Sequence, residues 1–160
     1  MLEDPFTPLS FIAGPAILTN ACAILQNGAT TRYSLAITQW REFRASLGDG
    51  DGRLALQYAA PEAAVAIAER RVRLQLRGLG FLNAAVALFA ATTVLGLGGA
   101  LLVQLGEIPA APVGLAMAIA AGLAFLFLLA ASTSFFREGA CGRALLRLHR
   151  GADTPAGHAA

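Results

Sequence analysis

The sequence predicts an all-α membrane protein with three transmembrane helices and a cytoplasmic helical hairpin extending from the first two. Three observations lead there. Hydrophobic residues make up 56% of the chain and charged residues only 14%, against about 25% charged in soluble domains. Three windows, Leu9 to Asn27, Leu79 to Val103 and Val113 to Phe136, hold no Asp, Glu, Lys, Arg or His. Each is close to the roughly 20 residues that a hydrocarbon core of about 30 Å demands of a helix. Finally, all 12 basic residues are Arg, and none falls within 1–31 or 78–136.

The first window follows Glu3 and Asp4, where a cleaved signal peptide would need a positive segment, so it is read as a retained span. Gly14-Pro15 inside it predicts a bend, because proline removes a helix donor. Beyond "NGATT", Tyr33, Ile37, Trp40, Phe43 and Leu47 recur at helical spacing until "GDGDG" at 48–52 ends the pattern. Pro61 and Glu62 then suit a helix's first turn. Val65, Ala68, Val72, Leu76 and Leu79 supply a matching stripe. The segment 30–77 is thus predicted to be a helical hairpin packed through Tyr33, Ile37, Trp40, Phe43 and Val72, with Trp40 near Ile67 and Ala68, and Arg44 near Glu62. After the "QLGEIPAAP" turn and the third span comes "FFREGACGRALLRLHR". It sets Cys141, Leu145 and Leu148 on one face and Arg143, Arg147 and Arg150 on another. This predicts an amphipathic helix over about 137–150 lying on the inner leaflet. Residues 151–160 are expected to be a disordered tail.

Arginine placement sets the orientation. Arg32, Arg41, Arg44, Arg53, Arg70, Arg71, Arg73 and Arg77 lie between spans one and two, and Arg137, Arg143, Arg147 and Arg150 follow span three. The positive-inside rule puts both groups in the cytoplasm and the N-terminus outside. Arg70, Arg71, Arg73, Arg77, Arg143, Arg147 and Arg150 become candidate contacts for anionic headgroups, at roughly 1 kcal/mol each near the surface. Nucleic acid is not an expected partner, since "ERRVRLQLRGLG" runs into an apolar span instead of a groove-reading motif.

The intramembrane polar inventory includes Asn20, Gln26, Asn83, Ser132 and Ser134, all in the inner half of the predicted spans. This polar layer either hydrogen-bonds helix to helix or lines a narrow pathway in a homo-oligomer. With no intramembrane carboxylate, Lys or His, a proton relay has no residues to run on. The serines have no base in their span to activate them as nucleophiles. Asp49 and Asp51 match the first two ligand positions of a calcium loop, but Arg53, Leu54 and Ala60 occupy positions where that loop needs a ligand, Gly and Glu. Cys22 and Cys141 do not form a disulfide framework, and zinc-ligand spacings are absent. Catalysis, cofactors and metals are therefore not expected. Small residues at Gly96, Gly98 and Gly99, and at Gly114, Ala118 and Gly122, supply faces for close helix packing, either within one chain or between protomers.

The stretch "PLSFIAGPAILTNACAILQNGATTRYSLAITQWREF", with its Pro-containing span, "ACAIL" core and polar exit to Thr31-Arg32-Tyr33, resembles a bacterial family known as domain of unknown function 2721. The order of span, Arg-rich hairpin, span, turn and span extends that resemblance to about Arg150. The family implies a small bacterial inner-membrane protein and brings no catalytic or ligand-binding residues. The expected function is that of a non-enzymatic multi-pass protein acting through contacts, as an accessory, assembly or scaffolding subunit. Its expected partners are membrane lipids and either itself or another membrane protein. The alternative expectation is a homo-oligomeric channel for small ions.

Overall fold

The computed structural model describes residues 7–49 and 52–149. It holds four helices: α1 (Thr7–Gly48), α2 (Arg53–Gln57), α3 (Pro61–Gln104) and α4 (Ala110–Leu148). Among the described residues there is no β-strand, only an isolated bridge between Tyr58 and His149. Helices α1, α3 and α4 have 42, 44 and 39 residues. At about 1.5 Å per residue each is roughly twice as long as a hydrocarbon core is thick. Two of them, α3 and α4, are long and apolar enough to cross a membrane, yet only 17% and 6% of their most apolar stretches are buried. The core helix of a soluble protein would show the opposite.

The chain divides into two compact units. One comprises Met1–Ala29 and Gly78–Ser132, the other Thr30–Arg77 and Thr133–Ala160. All 12 Arg residues belong to the second, eight in its first segment and four in its last. We call the first the apolar unit and the second the polar unit.

Burial along α3 follows a strict alternation of three- and four-residue steps. In the polar unit Ala64, Ala68, Arg71 and Gln75 turn inward, and in the apolar unit Gly78, Leu82, Ala85, Phe89, Thr92, Gly96 and Gly99 continue the series. Helices α1 and α4 each bury one position in seven, at Cys22, Ala29, Ala36 and Phe43, and at Ala124, Ala131, Glu138 and Leu145. A 3.5-residue mean spacing is the signature of left-handed, knobs-into-holes packing. Most of these residues are Ala or Gly, which lets helix axes approach closely.

In the apolar unit the approach is tightest between α3 and α4. A Cβ on Gly99 would lie 2.2 Å from Val113 Cγ1, and one on Gly96 would lie 2.9 Å from Met117 Cε. Phe89 meets Phe125 edge-on at 5.4 Å. The turn joining the helices is a Schellman motif, with Glu107 N–H donating to Leu102 O and Gly106 N–H donating to Val103 O. Gly106 is its left-handed residue, at φ +75°.

In the polar unit Phe43, Leu54, Tyr58, Ala64, Ala68 and Leu145 form one buried cluster, with Trp40, Val65, Ile67 and Leu148 packed against it. Trp40 and Ala68 thus share a core. The short helix α2, unforeseen in the sequence, delivers Leu54 and Tyr58 to it. Ala59 N–H donates to Leu148 O at 3.0 Å, tying the end of α4 to the segment before α3.

Four sequence readings need correction. The expected amphipathic helix at 137–150 is the continuous last third of α4, and its Leu145 is buried in the cluster. Packing against Phe43 and Tyr58 claims the apolar face that the inner leaflet was expected to take. Leu47 and Leu76, placed on the packing stripes, are 44% and 56% exposed, because the inward seam of α3 runs through Gln75. Arg44, expected near Glu62, instead lies 5.5 Å over the Trp40 ring, a cation–π contact. Gly114, Ala118 and Gly122, like Gly98, face outward, so within the chain the close helix contact belongs to Gly96 and Gly99. Residues 150–160, including the expected disordered tail and Arg150, lie outside the described residues.

Gly99→Ala should destabilise the apolar unit by about 1–3 kcal/mol, the cost of overpacking, because Val113 must move. Adding Val113→Ala should recover most of the loss in a double-mutant cycle read by thermal unfolding in detergent.

Candidate functional site: a buried polar network and an arginine groove

Seven residues of α3, from Glu69 to Gln75, organise the polar unit. Arg71 occupies an inward position of the three–four seam, so its guanidinium reaches between the neighbouring helices. Its Nε donates to Glu138 Oε1 of α4, in an ion pair whose side chains are 28% and 7% exposed. Its Nη1 donates to Gln39 Oε1 of α1 at 3.1 Å. One guanidinium therefore ties together all three long helices. One turn on, Gln75 is 1% exposed, and its Oε1, like Trp40 Nε1, has no protein hydrogen-bond partner. Buried polar capacity of this kind is costly, at about 1–3 kcal/mol per unmatched group.

The outward face of the same stretch behaves differently. Arg73 Nη1 donates to Glu69 Oε1 at 2.7 Å, in an exposed pair one helical turn apart worth only a few tenths of a kcal/mol. Arg70 borders an open groove of about 240 Å³ between α3 and α4, lined by Ile67, Arg70, Arg137, Ala140, Cys141 and Ala144. Arg77, Arg143 and Arg147 are exposed. Among the described arginines expected at headgroups, Arg71 is the exception, since it turns into the core. At the far end of the unit Tyr58 is buried between Phe43 and His149, with ring centroids 5.2 and 5.3 Å away, and desolvation pushes its phenol above the ordinary value.

The expected polar layer is only partly assembled. Gln26 Nε2 donates to Asn83 Oδ1 at 2.7 Å, joining α1 to α3 in the apolar unit. Asn20 is exposed. Ser132 Oγ donates to Leu128 O of its own helix at 2.9 Å, and Ser134 belongs to the polar unit. Thr92 and Thr93 likewise donate to Leu88 O and Phe89 O within their own helix. Of the hairpin residues, Phe43 is buried, while Tyr33, Ile37, Trp40 and Val72 are half-buried.

Gln39, Glu138 and Gln75 were missed. The available signal was the spacing of small residues. Carrying the step from Ala64 and Ala68 towards Gly78 lands on Arg71 and Gln75, and counting sevens back from Leu145 lands on Glu138.

With that geometry in place, comparison with known proteins becomes informative. Residues 12–148 match the family described as protein of unknown function (DUF2721). The chain belongs to that family. The match spans all three long helices from within α1 to the last residue of α4, so the polar and apolar units are both parts of the family's domain. No curated protein and no solved structure matches the chain.

Two outcomes follow from this geometry. Glu138→Ala should destabilise the polar unit by about 2 kcal/mol, somewhat below the 3–5 kcal/mol typical of breaking a fully buried pair, because Arg71 retains partial solvent access. Chemical denaturation followed by the fluorescence of Trp40 reads the change. For Tyr58, a folded pKa above the unfolded value of about 10 means that its stabilising contribution is complete below about pH 10. It is lost as pH rises through the higher folded value. In a Tyr33→Phe background, absorbance at 295 nm should show phenolate forming only above the range of free tyrosine, with unfolding at that step.

Proposed function

We propose that the protein is a three-span bacterial inner-membrane protein that works through contacts, as an accessory, assembly or scaffolding subunit without catalytic activity. The apolar unit is the membrane-embedded part, with the Leu9 to Asn27 window of α1 as the third span. The polar unit is its cytoplasmic part, and the N-terminus faces outward. The carrying observation is the coincidence of two independent boundaries. Packing divides the chain at Ala29/Thr30, Arg77/Gly78 and Ser132/Thr133, and every Arg falls on one side of those divisions. Positive charge and helices that can face lipid are thereby sorted into different units.

The contact-based reading draws on the polar unit's organisation. Its Arg71, Glu138 and Gln39 bond one another across three helices and hold them in register. In the apolar unit the Gln26–Asn83 bond uses the amides for helix pairing, which favours a packing role over the lining of an ion pathway. Two apolar side chains of the polar unit, Leu56 and Leu146, remain 77% and 67% exposed. They suit a protein that meets a partner or a second copy of itself.

Topology is the first test. In a cysteine-free background, single cysteines at Gly50 and Thr154 should be protected from an impermeant thiol reagent in intact cells, whereas one at Ala110 should react. Labelling of Gly50→Cys in unbroken cells would reverse the orientation. Intact-complex mass measurement in mild detergent should recover the chain with a bound protein or as a defined oligomer. Ion flux from that oligomer in liposomes, abolished by Asn83→Leu, would replace the contact reading with a channel.

A further inference from the structure

We propose that the groove between Arg70 and Arg137 is a discrete binding site for the phosphate-bearing headgroup of an anionic phospholipid. Charge complementarity carries the assignment. Arg70 and Arg137 stand at one groove whose remaining lining, Ile67, Ala140, Cys141 and Ala144, contains no acid. The carboxylates next to them in sequence are engaged elsewhere, Glu69 with Arg73 and Glu138 with Arg71. The groove therefore carries two positive charges over an apolar floor. Guanidinium groups hold phosphate oxygens through paired hydrogen bonds.

The level of the groove favours a lipid over a soluble anion. The site rests on the membrane reading given above, in which α4 leaves the bilayer near Thr133. Arg137 is then about one helical turn beyond the boundary, or roughly 6 Å, within the headgroup layer, and Arg70, eight residues before Gly78, is about 12 Å beyond it, so the pair spans from that layer to the water above. Phe136 and Leu76, 75% and 56% exposed, flank this level as apolar residues interleaved with arginines, the pattern of side chains at a membrane interface. The other exposed arginines would contact headgroups diffusely, whereas this pair would retain one lipid.

Cys141 in the groove is a built-in reporter. The full chain carrying Cys22→Ala is placed in nanodiscs of phosphatidylcholine alone or with phosphatidylglycerol, and alkylation of Cys141 by a water-soluble maleimide is timed. Phosphatidylglycerol should slow alkylation several-fold. Arg70→Gln with Arg137→Gln should abolish the protection and lower the phosphatidylglycerol retained in native mass spectra by about 25-fold, at roughly fivefold per arginine. Arg41→Gln with Arg53→Gln, which removes equal charge elsewhere, should change neither. If soluble glycerol phosphate protects Cys141 as well as phosphatidylglycerol does, the occupant is a soluble phosphate and the lipid assignment is overturned. Absence of protection in protein that is embedded in nanodiscs overturns the site and leaves the membrane reading intact. Failure to enter nanodiscs overturns both.

Discussion

The structure depends on one constraint: α3 must present a single inward seam, at alternating three- and four-residue steps and with Ala or Gly at its closest contacts, to both neighbouring long helices. In lipid, apolar side chains gain nothing by leaving one hydrocarbon environment for another, so helix association rests on close van der Waals contact. Gly96 and Gly99 permit that contact by having no Cβ where Met117 and Val113 lie. In the polar unit the same seam is filled by Ala64 and Ala68. On the membrane reading proposed above, one spacing serves lipid in the first unit and water in the second.

A seam of Ala and Gly is permissive about register, since a helix slid by one turn meets similar surfaces. Buried polar groups remove that freedom. An ion pair such as Arg71–Glu138 gives little net stabilisation once desolvation is counted, but a shift of one turn would leave a guanidinium and a carboxylate unpaired in the core. Gln39 extends the constraint to α1. The Gln26–Asn83 bond does the equivalent for α1 and α3 in the apolar unit. Stability comes from the seam, and alignment comes from a handful of amides and one ion pair.

Composition and charge distribution carry a strong signal, and the helical class, the breaks at "GDGDG" and "QLGEIPAAP", and the common core of Trp40, Phe43 and Ala68 were legible from it. The inward face of α3 was not. Reading large aliphatic residues as the buried stripe selects Leu76 over Gln75. That rule fails where Ala and Gly make the closest contacts and where Arg71 finds both an anion and an amide within reach. The fate of the C-terminal arginine-rich helix was hidden for a related reason. An amphipathic helix has the same pattern whether its apolar side meets lipid or protein, and only Phe43, Leu54 and Tyr58, brought together by the short helix α2, decide between them. The groove at Arg70 and Arg137 joins residues from two helices far apart in sequence, so no local motif announces it.

The polar unit is assembled from two stretches of chain separated by everything between Gly78 and Ser132. This dictates an order of events during synthesis. Phe43, Leu54 and Tyr58 leave the ribosome well before Leu145 does, and until then their shared surface lacks the cover that Leu145 and Leu148 provide. The final turns of α4, and the Ala59–Leu148 bond that fastens them, therefore report that α4 has been made through to its end. A chain that stops short of them would keep an aromatic surface open to the quality-control machinery of the cell.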